Sequence, residues 1–347
     1  MKLKVINGMS EIAGQGYYTV KGLRDNNVEA DMAVWRHNPF GYAADFDLKI
    51  GTNKFAYPFY FLKMLKFANQ AQKRYNVMHS HYGYTLLPFN LDIGKDKKEG
   101  IKIFAEFHGS EIRGMFNEID YKYFYVETSK KDKAKRQKRI IRLINGCDGI
   151  ILHDAELVSH LPATDKPVYL VPLRLVIDKF QPVYPENKEQ KPLLVHAPSK
   201  RKTKGTERIL EELKKIDLDY ELVLVEGKKQ EEALEIYKKA DIIIDQISVG
   251  TYGVFAIEAM LLGKPVITYI SDDMKKFFPK TLPIVSAEFD NIVLKLKTLI
   301  ENSDKRREIG IKSRQYAERY HDTCKVSKHL TKIYTGEIEN KNIFELL

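Results

Sequence analysis

Residues 240–270, ADIIIDQISVGTYGVFAIEAMLLGKPVITYI, constrain the chain more than any other stretch. An apolar run from Ile242 to Ile244 ends at Asp245, and a glycine-bearing loop leads into GVFAIEAMLL. Gly263, Lys264 and Pro265 stop that segment before a second apolar run begins at Val266. Short apolar runs bounded by glycine and proline read as buried strands and the longer run between them as a helix, which predicts strand, loop, helix, strand. One carboxylate, Glu258, lies inside the apolar helix. Burying it without partners is costly, so the fold must bring it to groups that donate hydrogen bonds.

The same alternation runs through the rest of the chain. With 347 residues and 44% hydrophobic content, it has ample core for two domains of ordinary size. In the first half, a strand at 3–7 is followed by a loop with Gly8, Gly14 and Gly16 and a helix over 17–24, the geometry by which a backbone approaches a phosphate. Further strands are expected at 30–35, 77–81, 101–106, 149–152 and 168–172, with helices after Pro58 and over 85–91. Phe59, Leu62, Leu65 and Phe67 of the Pro58 helix are expected in the core. A proline-bearing connector spans 173–186. Beyond it come a strand at 193–196, a cationic loop APSKRKTKG, a helix from 206 with Thr206 as N-cap, a strand at 221–225 and a helix over 231–240. Residues 240–270 complete this second parallel sheet, two amphipathic helices follow, and a polar helical tail is expected from 321. The expected division is 1–172, 173–324 and a tail of 325–347.

The formal net charge of +10 calls for an anionic partner without choosing one. Eight of the thirteen positions 130–142 are Lys or Arg, and Ile140, Ile141, Leu143 and Ile144 make the run one helix with an apolar side. Lys131, Lys135, Arg136 and Arg139 form either a solvated face or the side that meets an anionic membrane or polymer acceptor. With no recognisable nucleic-acid motif beside them, nucleic acid is not expected. No stretch approaches the roughly 18 uncharged apolar residues of a membrane span, and the charged start is not a signal peptide. A cytoplasmic protein is expected, with peripheral attachment to the inner face of a membrane left open by the basic run. Cys147 and Cys324 lack a metal spacing and are expected as packing residues. His79 and His81 are expected on opposite faces of their strand, with no metal site.

The chemistry-bearing residues gather after strands. FHGSEIRG, with His108, Gly109, Ser110, Glu111 and Arg113, lies past the end of the 101–106 strand, where open α/β sheets bind ligands. In the second half a cationic loop (Lys200, Arg201, Lys202, Lys204), a glycine-bearing helix entrance (Gly250, Thr251, Gly253) and Glu258 suit a nucleoside diphosphate. Cations and helix N–H groups meet the phosphates, and a carboxylate accepts two ribose hydroxyls.

These residues resemble the GT-B glycosyltransferases, nearest the retaining family 4 group. The resemblance rests on Gly14 and Gly16, on FHGSEIRG, on the KGT segment at 204–206 and above all on GTYGVFAIEAMLLGKPVI, which looks like the group's E-x7-E region. It implies an α/β, GT-B architecture: two Rossmann-like doubly wound domains facing a central cleft, with the tail packed back on the first. It implies a retaining transfer, without metal or cofactor, from a UDP- or GDP-linked sugar to an acceptor hydroxyl, in envelope or surface glycoconjugate synthesis on an anionic lipid-linked or polymer acceptor. His108, Arg201 and Lys204 would be catalytic. Gly14, Gly16, Lys200, Gly250, Thr251, Tyr252, Gly253 and Glu258 would hold the donor. Two departures stand out: Gly250 occupies the first Glu position, which passes sugar contacts to backbone groups or to Asp245, Gln246 or Thr251, and the usual arginine before Lys204 is absent, which passes its role to Arg201. A non-catalytic nucleotide-sugar-binding subunit and a GT-B sugar-nucleotide epimerase are the alternatives.

Overall fold

The structure is a computed structural model that describes residues 2–37, 41–117, 119, 122–123, 130–186, 191–338 and 342–347, without the side chains of 130 and 131. The chain divides into two units: Met1–Ile119, Val126–Leu175 and Thr323–Leu347 form the first, and Asp120–Tyr125 with Val176–Asp322 the second.

The first unit is built on β1 (Lys4–Gly8), β2 (Glu29–Val34), β3 (Phe46–Asp47), β4 (Val77–His81), β5 (Lys102–Phe107), β6 (Gly149–Leu152) and β7 (Val168–Leu170). They form one sheet in the order β3-β2-β1-β4-β5-β6-β7, and the paired strands run parallel throughout. Strand order reverses between β1 and β4, so the carboxyl ends of these two strands open the crevice where such sheets take ligands. Ile6, Met78, Ile103 and Ile150 face one apolar layer and Val5, Val77, Phe104 and Ile151 the other. Alternate side chains thereby feed both faces of the sheet, as a sheet covered on both sides requires.

The tail is less polar than its sequence suggests. Its helix, Thr323–Thr335, buries Val326, Leu330, Ile333 and Tyr334 in the second of those layers and packs on the Gln15–Asp25 helix. Gly22 makes the approach possible: a Cβ there would lie 2.4 Å from both Ser327 Oγ and the Thr323 carbonyl oxygen.

The second unit is built on β8 (Leu193–His196), β9 (Glu221–Leu224), β10 (Ile242–Ile244), β11 (Val266–Thr268) and β12 (Val285–Ser286), parallel throughout in the order β12-β11-β10-β8-β9. The Val254–Leu261 helix is apolar nearly all round and correspondingly buried from Ala256 onward. Gly263 ends it at φ +75, a left-handed conformation that favours glycine. Lys122 and Tyr123, though early in the chain, belong to this unit, where the Tyr123 hydroxyl donates to Glu288 Oε2 at 2.6 Å.

Several local expectations are corrected. Residues 85–91 are not a helix but a loop with one 3-10 turn, Pro88–Asn90, because Phe89 and Asn90 are left-handed and Asn90 and Asp92 accept hydrogen bonds from the Thr85 backbone and hydroxyl. Gly205, at φ +75, and not Thr206, caps the Thr206–Leu213 helix. In the Tyr57–Arg74 helix, Met64, Phe67, Ala68 and Ala71 are the buried apolar residues, whereas Phe59, Leu62 and Leu65 are exposed. The sequence of that helix is apolar on both faces, so periodicity could not tell the inward stripe from the outward one.

Gly22→Ala is expected to destabilise the first unit by about 1–3 kcal/mol through overpacking, and to raise amide exchange in the Thr323–Thr335 helix. Unchanged exchange in that helix would contradict the close packing.

Candidate functional site

In the first unit, the carboxyl ends of β1, β4 and β5 bring together Asn7, His79, His81, Glu106 and His108. His79 and His81 are two residues apart on β4, which by the period of a strand puts them on the same face. The expectation of opposite faces is corrected: their rings stack 4.6 Å apart, and the His81 ring stacks on His108 at 5.3 Å. His81 Nε2 meets Asn7 Oδ1 at 3.3 Å, and an amide oxygen only accepts. His81 therefore carries its proton on Nε2, its bare Nδ1 accepts from His108 Nε2–H at 3.1 Å, and His108 is left with a bare Nδ1. Burial pushes His108 down to about 3, and burial beside His79 pushes His81 well below its ordinary value, so both rings are neutral.

Behind the histidines lies a buried ion pair. Arg174 Nη2 donates to Glu106 Oε2 at 2.5 Å, and His79 Nε2 lies 2.8 Å from the same oxygen. Burial alone would raise Glu106, but Arg174 and His79 outweigh it and hold the carboxyl well below the usual range. By type His79, His81 and Glu106 could hold a metal ion, their ligand atoms lying within 4.8 Å of one another. The Arg174 guanidinium, however, already supplies the positive charge that Glu106 meets, so this set fits a metal poorly.

His108 sits on a tightly held loop. Its backbone N–H donates to Glu111 Oε1 at 2.6 Å, and Gly109 takes φ +113, where a Cβ would strike the Arg113 guanidinium. Arg113 is itself paired with Glu156 at 2.7 Å.

The loop after β1 has a different occupant from the phosphate expected there. Gly14, at φ +80, precedes the Gln15–Asp25 helix, and the Glu11 carboxylate accepts from the Tyr17 backbone N–H at 2.7 Å. Hydrogen bonds from Gly16 and Gly14 N–H also favour its charged form, although burial dominates and lifts Glu11 to about 7. The chain's own carboxylate thus takes the anion seat that Gly14 and Gly16 frame.

In the basic helix, Lys130–Gly146, the cations divide. Arg139 lies 3.7 Å above the Tyr84 ring, and Arg136 Nη1 reaches the Ser110 carbonyl at 3.5 Å, while Lys135 is exposed. The Lys131 side chain lies outside the described residues.

In the second unit, strand order reverses between β8 and β10, and there Lys204 Nζ donates to the buried Asp245 Oδ1 at 2.5 Å. Asp245 is thus engaged by the lysine expected at the phosphates. Arg201, half-exposed, pairs with Glu207 at 2.6 Å and Glu226 at 2.8 Å, and Lys200 is exposed. Gln246 Nε2 donates to the Thr251 carbonyl at 2.5 Å. Tyr252 turns inward, its buried hydroxyl 3.2 Å from that of Tyr316 and 3.1 Å from His321 Nε2, which makes it a packing residue. Gly250 stands at φ +89 with Ser271 N–H on its carbonyl at 2.9 Å, a backbone state that strains any other residue.

Glu258 is buried at the fifth of the eight residues of its helix. Among the described residues its hydrogen-bond donor is Gln230 Nε2, 2.9 Å from Oε1. Burial, only partly offset by that bond, lifts it to about 7. Gly253, just ahead of the helix, has open space where a Cβ would stand. Gln230 and the Asn7 and Arg174 partners escape a linear reading, because each acts through a contact distant in sequence, whereas Glu11 meets backbone N–H groups of its own loop. The strand period alone would have placed His79 and His81 together.

No family model matches the chain, and no curated protein does. Solved structures do. Sucrose-phosphate synthase from Thermosynechococcus elongatus is 14% identical at a TM-score of 0.71, over 97% of this chain and 99% of that one. A glycosyltransferase from Rickettsia africae is 15% identical at 0.66, over 98% and 99%. Anabaena HepE in complex with UDP-glucose is 10% identical at 0.60, over 97% and 100%. The chain has the GT-B fold. Among the described residues no helix is long and apolar enough to cross a membrane.

The raised Glu258 carboxyl has a stability cost with a definite sign. Folding favours its protonated form, so that contribution is present below its unfolded value near 4.5 and is lost as pH rises through about 7. Glu258→Gln, which can still accept from Gln230, should therefore raise the unfolding temperature relative to the parent at pH 8 and change it little at pH 5. Equal shifts at both values would contradict the burial of this charge.

Proposed function

We propose that this GT-B chain is a retaining glycosyltransferase that moves a sugar from a UDP- or GDP-linked donor to an acceptor hydroxyl without a metal. The observation that carries the reading is Glu258, a buried carboxylate inside an apolar helix, with a single hydrogen-bond donor among the described residues. A group held at such cost suits a ligand presenting two adjacent hydroxyls, and ribose does so. HepE, one of the similar structures, is described in complex with UDP-glucose, which supports a nucleotide-sugar donor and a UDP-linked one first.

In this reading Glu258 accepts the ribose hydroxyls. Lys204 and Arg201 exchange their carboxylate partners for the diphosphate and stabilise the charge that develops on it as the sugar leaves. The leaving phosphate assists loss of the acceptor proton, and His108, neutral and with a bare Nδ1, accepts a hydrogen bond from a hydroxyl of the transferred sugar. Backbone groups around Gly250 and Thr251, rather than a second carboxylate, read that sugar. The acceptor is an anionic lipid-linked saccharide or polymer of the cell envelope, a reading that the net charge of +10 supports.

The test is release of free nucleotide and transfer of sugar across a panel of UDP- and GDP-sugars, with and without EDTA. Transfer that keeps the donor's anomeric configuration and survives EDTA is expected. Glu258→Ala should weaken nucleotide binding at least about tenfold, whereas His108→Ala should lower kcat by about 10²-fold or more with donor affinity nearly kept. Failure to bind any nucleotide sugar would overturn the proposal. Binding without turnover would favour a non-catalytic subunit, and isomerised donor an epimerase.

A further inference from the structure

The start of the Tyr57–Arg74 helix and the turn before it carry large apolar side chains outward. Phe55 is 95% exposed, Phe59 67%, Leu62 63% and Tyr57 46%, although the same helix packs Met64, Phe67 and Ala68 inward. Phe59, Leu62, Lys63 and Lys66 follow the three- and four-residue spacing that makes one stripe on a helix. Lys54, Lys63 and Lys66 are all exposed among the aromatic and leucine side chains. From 48 to 91 the chain has six Lys and Arg and no Asp or Glu.

This patch is a ridge of protruding side chains, not a groove, and its charge is of one sign. Two copies placed face to face would bring lysines against lysines with no acid to meet them. A ridge of rings and leucines among lysines instead matches what an anionic bilayer surface receives: apolar groups entering the headgroup boundary and ammonium groups resting on phosphates. Tyr57 also lines a pocket of about 480 Å³ with Glu11, Trp35, Tyr82 and Tyr84, so a ligand-sized cavity of this unit borders the ridge.

We propose that the ridge formed by Phe55, Phe59, Leu62, Lys63 and Lys66 docks the protein on an anionic lipid surface. This docking is distinct from the basic helix at 130–146 and stands whether or not the transfer chemistry is as proposed above. It also gives the exposed Phe59 and Leu62 a role in place of the core position expected from sequence.

The full chain is sedimented with vesicles of phosphatidylcholine alone and of phosphatidylcholine with phosphatidylglycerol. It should pellet with the second, stay in solution with the first, and be released by high salt. The double substitution Phe59→Ser, Leu62→Ser should lower the partition coefficient at least about tenfold, with the unfolding temperature unchanged because both side chains are exposed. Lys63→Gln with Lys66→Gln should remove most of the dependence on phosphatidylglycerol, whereas Lys135→Gln, on the basic helix, should not. The proposal is overturned by absence of binding, by binding that Phe59→Ser, Leu62→Ser leaves intact, or by a dimer in solution that this substitution dissociates, which would give the ridge to a second copy.

Discussion

A single buried guanidinium ties the first unit together. Arg174, fully buried just past β7, donates to Glu106 on β5 at 2.5 Å and to the Thr19 hydroxyl of the Gln15–Asp25 helix at 2.6 Å. Its backbone N–H and carbonyl close a pair of hydrogen bonds with the Gln15 side chain. Through Glu106 the arrangement continues to His79, and from His79 Nδ1 to the Tyr334 hydroxyl at 2.5 Å, on the helix that returns from the end of the chain. Removing one partner of such a pair leaves an uncompensated buried charge, which costs roughly 3–5 kcal/mol. The first helix, a central strand, the end of the sheet and the returning helix therefore depend on one pair.

In front of the pair stand the stacked rings of His81 and His108. Burial and neighbouring rings keep His81 and His108 neutral, and a neutral ring can accept a hydrogen bond where a charged one cannot. Asn7 fixes which nitrogen is bare. The proton pattern of His108 is thereby set by the residues packed behind it.

Much of the fold was legible in the sequence. The repeated alternation of short apolar runs with helices, the glycine stops and the conspicuous carboxylate at Glu258 all follow from local pattern, and the comparisons bear out the GT-B architecture. What escaped was set by distant contacts, by turns or by surfaces. That Asp245 meets Lys204 could not be read from either segment alone, and that Glu11 takes the helix N-terminus framed by Gly14 and Gly16 depends on a turn within the loop that the glycine spacing does not specify. Phe59 and Leu62 looked like core because apolar character usually is core. Tyr252 lies within the glycine-bearing loop but faces inward, since a motif specifies a backbone path more firmly than the direction of each side chain.

The second unit shows the opposite use of burial. Where Glu106 is compensated by Arg174, Glu258 is left with a carboxyl lifted to about 7, a group that folding alone does not favour in its charged form. In the proposed function a bound ribose offsets this. Calorimetric titration of UDP and GDP at pH 7, in buffers of different ionisation enthalpy, tests it most directly. If the nucleotide takes up the ionised carboxylate, binding should release about half a proton from a group titrating near 7, and Glu258→Gln should abolish that release. Nucleotide binding without proton release, or release unchanged in Glu258→Gln, would contradict the account.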